Sequence, residues 1–135
     1  MRNKKNNKVL LEMKDIKIEG FADEKWHKII KGISLTLSRG QVMGLIGESG
    51  AGKSTLGLAA MGFTRPGCKF TGGKVVFDGK NLTDIPENQR REYWGTRITY
   101  IAQSAAAAFN PAHQLIHQVI ESTVRSKQKN KRDAQ

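Results

Sequence analysis

The chain has 135 residues, of which 38% are hydrophobic and 26% are charged, a mixture typical of a folded globular protein rather than a disordered one. No run approaches the roughly 18 apolar residues of a membrane span, and the single cysteine, Cys68, excludes an internal disulfide. The net charge is +11, and residues 1–8 and 125–135 contribute +4 each. We therefore expect basic disordered tails at 1–8 and 125–135 around a folded region at 9–124.

The first predicted elements are strands with alternating apolar residues. Residues 11–18 indicate one or two short strands, interrupted around Asp15. Residues 20–28 are polar and indicate a loop. Strict alternation at 33–37 predicts a half-buried strand before a turn.

The middle of the chain alternates between apolar runs and glycine-rich breaks. Residues 42–46 are almost continuously apolar, which predicts a strand buried on both faces of a parallel sheet. Good helix formers at 55–61 predict a helix. Residues 64–73 contain several breakers and indicate an irregular segment, and residues 75–82 predict a tight hairpin around an Asp-Gly turn.

Three further elements are predicted towards the end of the chain. Pro86 suits the first turn of a short helix reaching Tyr93. Residues 98–102 form another apolar run and predict a strand. Asn110 followed by proline is typical of a helix start, and apolar spacing carries that helix to about Arg125.

A glycine-rich loop between the predicted strand at 42–46 and the predicted helix at 55–61 contains the candidate phosphate-binding residues. Residues 47–54 match G-x-x-x-x-G-K-[ST] at every fixed position. Glycines let successive backbone N–H groups approach phosphate oxygens, a lysine adds a positive charge, and a serine hydroxyl can ligate Mg²⁺. The candidate nucleotide-binding residues of this loop are Gly47, Ser49, Gly50, Ala51, Gly52, Lys53, Ser54 and Thr55.

Two separated stretches resemble one family. Residues 44–55 resemble the ATP-binding subunits of ABC transporters, and the Glu-Ser-Gly at 48–50 is similar to the oligopeptide, dipeptide and nickel importer branch. Residues 97–103 resemble the strand that ends in the Q-loop glutamine of this family, here Gln103, and the Phe-Asn-Pro at 109–111 matches what commonly follows. The resemblance runs from about Leu10 to Val124.

The resemblance implies an α/β fold of the P-loop NTPase (ABC ATPase) class, with an antiparallel β subdomain, the first strands of a parallel core and the start of a helical subdomain. It also implies binding of ATP and Mg²⁺, with the metal held by Ser54 and Gln103. Gln103 would act as a catalytic residue near the γ-phosphate. Family members stack an aromatic side chain on adenine, for which Trp26 is the candidate and Phe21 the alternative.

Several motifs of the family are absent from the sequence. It contains no Leu-Ser-Gly-Gly-Gln signature and no apolar strand ending in Asp-Glu, and His113 and His117 come too early to be the switch histidine. Turnover of ATP by this chain is therefore uncertain. The sequence resembles the N-terminal portion of a longer ATPase, whose complete form would power transport of peptides or related small solutes.

The resemblance implies a cytoplasmic protein, peripheral on the inner face of the membrane, with permease subunits and a second ATP-binding subunit as partners. Two other functions compete with this interpretation. A compact P-loop kinase would need an arginine-bearing lid, for which Arg90 and Arg91 are the only nearby hint. A nucleic-acid module built on the basic ends lacks any motif and has few aromatic residues, so no specific nucleic acid is expected.

Overall fold

The computed structural model of the chain describes residues 8–104, 110–118 and 120–121. The chain divides into two compact units, Met1–Arg90 and Arg91–Gln135. Of the two predicted basic tails, Lys8 alone falls within the described residues, where it is exposed, and the remainder lies outside them. Among the described residues, no helix combines the length and the apolar character needed to cross a bilayer.

The first unit is built on one antiparallel sheet of four strands in the order β2-β1-β3-β4. Helix α1 lies between β2 and β3, and α2 follows β4. The bounds are β1 Val9–Ala22, β2 Lys25–Ser38, α1 Lys53–Ala59, β3 Cys68–Phe77, β4 Lys80–Asn81 and α2 Glu87–Arg90. This arrangement is the antiparallel β subdomain that the family resemblance implies.

The core gathers apolar side chains from one face of this sheet and from α1. Cross-strand partners share a face of a sheet, and the pairs Ile18 with Ile30 and Met13 with Val75 are all buried. Helix α1 adds three buried residues. The full set is Met13, Ile16, Ile18, Ile30, Leu56, Leu58, Ala59, Val75, Phe77 and Leu82. Burial of this face holds the sheet together.

The β1–β2 hairpin is longer than predicted. The expected loop at 20–28 is wrong, because both strands continue to a two-residue turn at Asp23 and Glu24. Both turn residues have positive φ, 49° and 61°, the geometry whose twist suits a two-residue hairpin. Phe21 and Trp26 pair across the strands with ring centroids 5.2 Å apart, which ties the end of the hairpin together.

The interruption predicted around Asp15 is a bulge within a single strand. Asp15 adopts φ 48°, and its N–H donates to Ser34 Oγ at 2.9 Å instead of to the ladder. On the other side, Gly73 approaches so closely that a Cβ there would lie 2.5 Å from the Asp15 carbonyl oxygen. The bulge thus depends on a glycine in the neighbouring strand.

The predictions of parallel core strands at residues 42–46 and 98–102 are wrong for this structure. Residues 42–46 form no strand, and Val42 and Ile46 are 96% and 101% exposed. Residues 98–102 likewise form no strand beyond one isolated bridge between Ile98 and Trp94, and Ile101 is 89% exposed. An apolar strand buried on both faces needs strands beside it, and the described sheet pairs with neither segment.

The remaining helices and strands of the first unit are of the predicted type, but they begin and end at other residues than predicted. The hairpin of β3 and β4 turns at Asp78 and Gly79 as predicted, both with positive φ. However, β3 begins at Cys68, so residues 68–73 of the segment expected to be irregular at 64–73 are strand. The two helices occur within or beside their predicted ranges, with α2 limited to one turn.

In the second unit, Asn110 begins a turn rather than the helix itself. The Ala112 N–H donates to Asn110 Oδ1 at 2.9 Å, and Gln118 Nε2 donates to the Asn110 carbonyl at 3.0 Å. Helical residues follow at 115–118 and 120–121, four residues later than predicted because the turn comes first. Leu115, at 62% exposed, belongs to the predicted apolar stripe.

Candidate functional site

The glycine-rich loop runs from β2 to α1 and depends on two glycines with left-handed backbone. Gly50 has φ 83° and Gly52 has φ 86°, a region that other residues rarely adopt. Gly52 also packs closely on β2, because a Cβ there would lie 2.7 Å from Ile30 Cδ1 and 3.5 Å from Ile29 Cγ2. Glycine is therefore required at position 50 by the backbone conformation and at position 52 by the close packing on β2.

The Lys53 side chain folds back over this loop. Its Nζ donates to the carbonyl oxygens of Gly47 and Glu48, both at 2.6 Å. An ammonium has three N–H donors, so these two contacts leave a third for an anion. The loop is closed further by the Ala51 N–H, which donates to the Glu48 carbonyl at 3.1 Å. Lysine and loop backbone thus form one small ring.

Helix α1 begins directly after the loop. Gly52 is its N-cap, no side chain caps the helix start, and the first turn contains no acidic residue. Ser54 in that turn is exposed, and Thr55 is half-buried. The arrangement places a lysine, a free hydroxyl and backbone N–H groups on one short segment.

These residues fit a phosphate anion. Left-handed glycines bring backbone N–H groups close to a ligand, and Lys53 carries the charge that a phosphate needs. For the metal, Ser54 offers an exposed oxygen. The described residues contain no cluster of three or more His, Cys, Asp or Glu side chains.

A cavity of about 310 Å³ lies between β2 and the loop. Its lining is mainly apolar, with Lys53 and Ser34 as the polar residues. Ile33, Leu35, Met43, Leu45 and Leu56 supply most of the remaining wall.

Trp26 does not lie beside the loop. Along β1 and β2 the pair of Ile18 and Ile30 faces the core, and the next pair of Glu19 and Lys28 faces the opposite side, because Ile29 is an extra residue in β2. Alternation then puts Phe21 and Trp26 on the side of Glu19.

Contacts on the face of the sheet opposite to the core agree with that assignment. Lys69 Nζ lies 3.7 Å from the centre of the Trp26 ring, and the same ammonium lies 3.9 Å from Glu19 Oε2. Trp26 is 45% exposed and Phe21 53% exposed. The two residues predicted to stack on adenine therefore form one aromatic pair on the sheet face opposite to Gly52.

Gln103 belongs to the second unit. It is exposed and lies in a bend after residues 98–102. Phe109, which precedes the Asn110 turn, lies outside the described residues. The structure thus brings the loop residues together in the first unit and describes Gln103 within the other.

Comparison with known proteins identifies relatives over nearly the whole chain. A family profile described as ABC transporter matches residues 30–135. The probable peptide ABC transporter ATP-binding protein y4tR of Sinorhizobium fredii is 32% identical over 125 residues, covering 90% of this chain and 37% of that protein.

Two further relatives show the breadth of the match. The oligopeptide transport ATP-binding protein AppD of Bacillus subtilis is 29% identical over 126 residues, covering 93% of this chain and 38% of that protein. The metal-staphylopine import system ATP-binding protein CntD of Staphylococcus aureus is 32% identical over 94 residues, covering 70% of this chain and 34% of that protein. The chain spans a little over a third of the length of each of these three relatives.

Proposed function

Because the chain belongs to the ABC transporter family, with a P-loop NTPase fold and ATP-binding relatives in peptide transport, we propose that its glycine-rich loop binds the phosphates of Mg-ATP. The observation that carries this proposal is the closed ring of Lys53 and the loop carbonyls beside two left-handed glycines. Residues 47–55 would surround the phosphates, and Gly52 would let the backbone approach them.

The roles of the individual residues follow from their chemistry. Lys53 would neutralise charge on the outer phosphates with its third N–H. Ser54 and Gln103 would hold Mg²⁺, which supplies further charge neutralisation at the phosphates when bound. Gln103 contributes a neutral amide oxygen and would be the residue that responds to the γ-phosphate. Stacking of adenine on Trp26 stays a prediction that the position of its ring does not support.

Nucleotide binding is tested by the stability of the chain in the presence of ligand. A ligand at 100 times its Kd adds about 2.7 kcal/mol to the free energy of unfolding. We expect Mg-ATP and inorganic tripolyphosphate to raise the unfolding midpoint and adenosine to have little effect, because the loop contacts are to phosphate. Equal effects of adenosine and ATP would contradict the proposal.

The wider role proposed is ATP binding within a subunit whose complete form would couple ATP hydrolysis to transport of peptides or related small solutes. Support comes from the relatives, which are described as peptide, oligopeptide and metal-staphylopine transport proteins. Its partners would be permease subunits and a second ATP-binding subunit, and its place would be the inner face of the membrane. Uptake of a labelled oligopeptide should fall when Lys53→Ala is introduced into the gene, and unchanged uptake of every peptide tested would contradict this role.

A further inference from the structure

The face of the sheet opposite to the core is rich in lysine. In β1, Lys14, Lys17 and Glu19 alternate with the buried residues of the core. Their cross-strand partners in β2 and β3 lie on the same side of the sheet and are further lysines or glycine. The lysines of this surface, which we call the basic face, are Lys14, Lys17, Lys28, Lys31, Lys69 and Lys74. All six are exposed.

Contacts between the strands support this assignment. A Cβ on Gly72 of β3 would lie 3.3 Å from Lys17 Cδ, so the Lys17 side chain covers the same side as its partner Gly72. Lys69 Nζ lies 3.9 Å from Glu19 Oε2, which joins β3 to β1 on that side. The basic face therefore extends over all three long strands.

The lysines of the basic face outnumber its acidic residues. Three carboxylates of β1 each pair with one lysine, in the pairs Glu12 with Lys14 at 3.2 Å, Asp15 with Lys17 at 2.8 Å and Glu19 with Lys69 at 3.9 Å. Within the described part of the chain, no ion pair involves Lys28, Lys31 or Lys74. The surplus of three exposed ammonium groups attracts an anionic surface.

Two exposed aromatic rings lie at one end of the basic face. Phe21 and Trp26 share this side of the hairpin and are 53% and 45% exposed. Tryptophan has an apolar ring and a polar N–H, and it is enriched where a membrane meets water. The carboxylates of the turn at Asp23 and Glu24 oppose insertion of the hairpin tip into an anionic layer. A flat approach of the basic face avoids that cost.

The position of the Trp26 ring favours a lipid surface over a nucleic acid. A nucleobase stacks on an open ring face. One face of Trp26 is covered by Lys69 Nζ, 3.7 Å from the ring centre, and the Phe21 ring lies 5.2 Å away at an angle of 57°. Contact with lipid headgroups needs only the exposed part of these rings, and a flat array of lysines matches a planar layer of phosphates.

We propose that the basic face binds an anionic phospholipid bilayer. The lysines lie against the headgroup phosphates, and Phe21 and Trp26 lie at the boundary between headgroups and acyl chains. This contact would add a direct lipid interaction to the proposed place at the inner face of the membrane. It uses no residue of the glycine-rich loop, so lipid binding and nucleotide binding can fail separately.

The test is cosedimentation of the full chain with vesicles in the absence of nucleotide. We expect binding to vesicles of phosphatidylglycerol and phosphatidylcholine in equal parts, and none to phosphatidylcholine alone. Replacing Lys31 and Lys74 together by alanine should weaken binding at least about fivefold. The matched control replaces Lys25 and Lys80, two exposed lysines on the other side of the sheet, and should bind as the wild type does.

Two results of this experiment would overturn the assignment. If the Lys31 and Lys74 variant binds vesicles as the wild type does, other basic residues such as those at 1–8 and 125–135 account for the binding. If the two double variants lose binding equally, only net charge matters. Tight binding of single-stranded polyuridylate without vesicle binding would likewise replace the lipid surface by a nucleic acid.

A second readout follows the tryptophan directly. The sequence has two tryptophans, and Trp94→Phe leaves Trp26 as the sole indole. Its fluorescence should shift to shorter wavelength with the anionic vesicles and stay unchanged with phosphatidylcholine, because the ring enters a less polar layer. Vesicle binding without this shift would show that another surface makes the contact.

Discussion

Lys53 Nζ lies 2.6 Å from the Gly47 carbonyl oxygen, so the first glycine of the loop and the lysine after its last glycine are joined by a hydrogen bond. The bond closes the loop into a ring formed by main chain and the Lys53 side chain. Because an ammonium donates three hydrogen bonds, the ring can hold its shape and still offer one donor to a phosphate. Lys53 is thus both a structural part of the loop and its principal positive charge.

Gly52 and Gly50 form a matched pair for testing the loop. Both have left-handed backbone, which costs roughly 1–2 kcal/mol for an alanine, but only at Gly52 would the new Cβ clash. We expect Gly52→Ala to lower the free energy of unfolding by about 1–3 kcal/mol more than Gly50→Ala does. Urea unfolding measures both, and equal losses would show that Gly52 does not pack on Ile30.

The exposure of residues 42–46 predicts a contrast between two isoleucines. Ile18 is completely buried, so Ile18→Ala should cost about 2–5 kcal/mol. Ile46 is fully exposed, so Ile46→Ala should change stability by less than about 0.5 kcal/mol. A loss of several kcal/mol at Ile46 in chemical unfolding would mean that this segment packs as the buried strand its sequence indicates.

The cation over Trp26 predicts a measurable coupling. Lys69 lies on the Trp26 ring, an arrangement worth about 0.5–1 kcal/mol at an exposed site. A double-mutant cycle with Lys69→Met and Trp26→Leu should give a coupling energy in that range from the unfolding free energies. Additive effects of the two substitutions would show that the contact contributes nothing.

ATP turnover should be slow even where binding is retained. Phosphoryl transfer depends on several groups that neutralise charge and position water together, and the sequence contains neither a signature motif nor an apolar strand ending in Asp-Glu. We expect release of phosphate from Mg-ATP by this chain to remain near the uncatalysed background. Steady turnover at the rate of a transport ATPase would contradict this expectation.

Features that depend on the backbone angles of single residues could be predicted from the sequence. The turn at Asp78 and Gly79 and the loop glycines need particular backbone angles, and residue type reports those angles directly. The strand at 42–46 could not be judged in this way, because burial of an apolar strand depends on partner strands elsewhere. Its residues are apolar, yet no strand of the described sheet pairs with them.

The face of the sheet on which Trp26 lies is a second feature that could not be predicted from the sequence. Simple alternation from buried Ile30 would put Trp26 on the core side, and the single extra residue Ile29 reverses every position beyond it. A bulge of one residue leaves little trace in composition or periodicity. The sequence therefore identified the glycine-rich loop, but it missed the hairpin at residues 20–28 and could not determine on which face of that hairpin Trp26 lies.

Isothermal titration of Mg-ATP into the wild type, Lys53→Ala and Lys80→Ala tests the central claim most directly. Lys80 is an exposed lysine of β4 outside the loop and serves as the control for loss of one positive charge. The account predicts unchanged affinity for Lys80→Ala and at least a tenfold weaker affinity for Lys53→Ala. Equal affinity in all three proteins would contradict a nucleotide site in this loop.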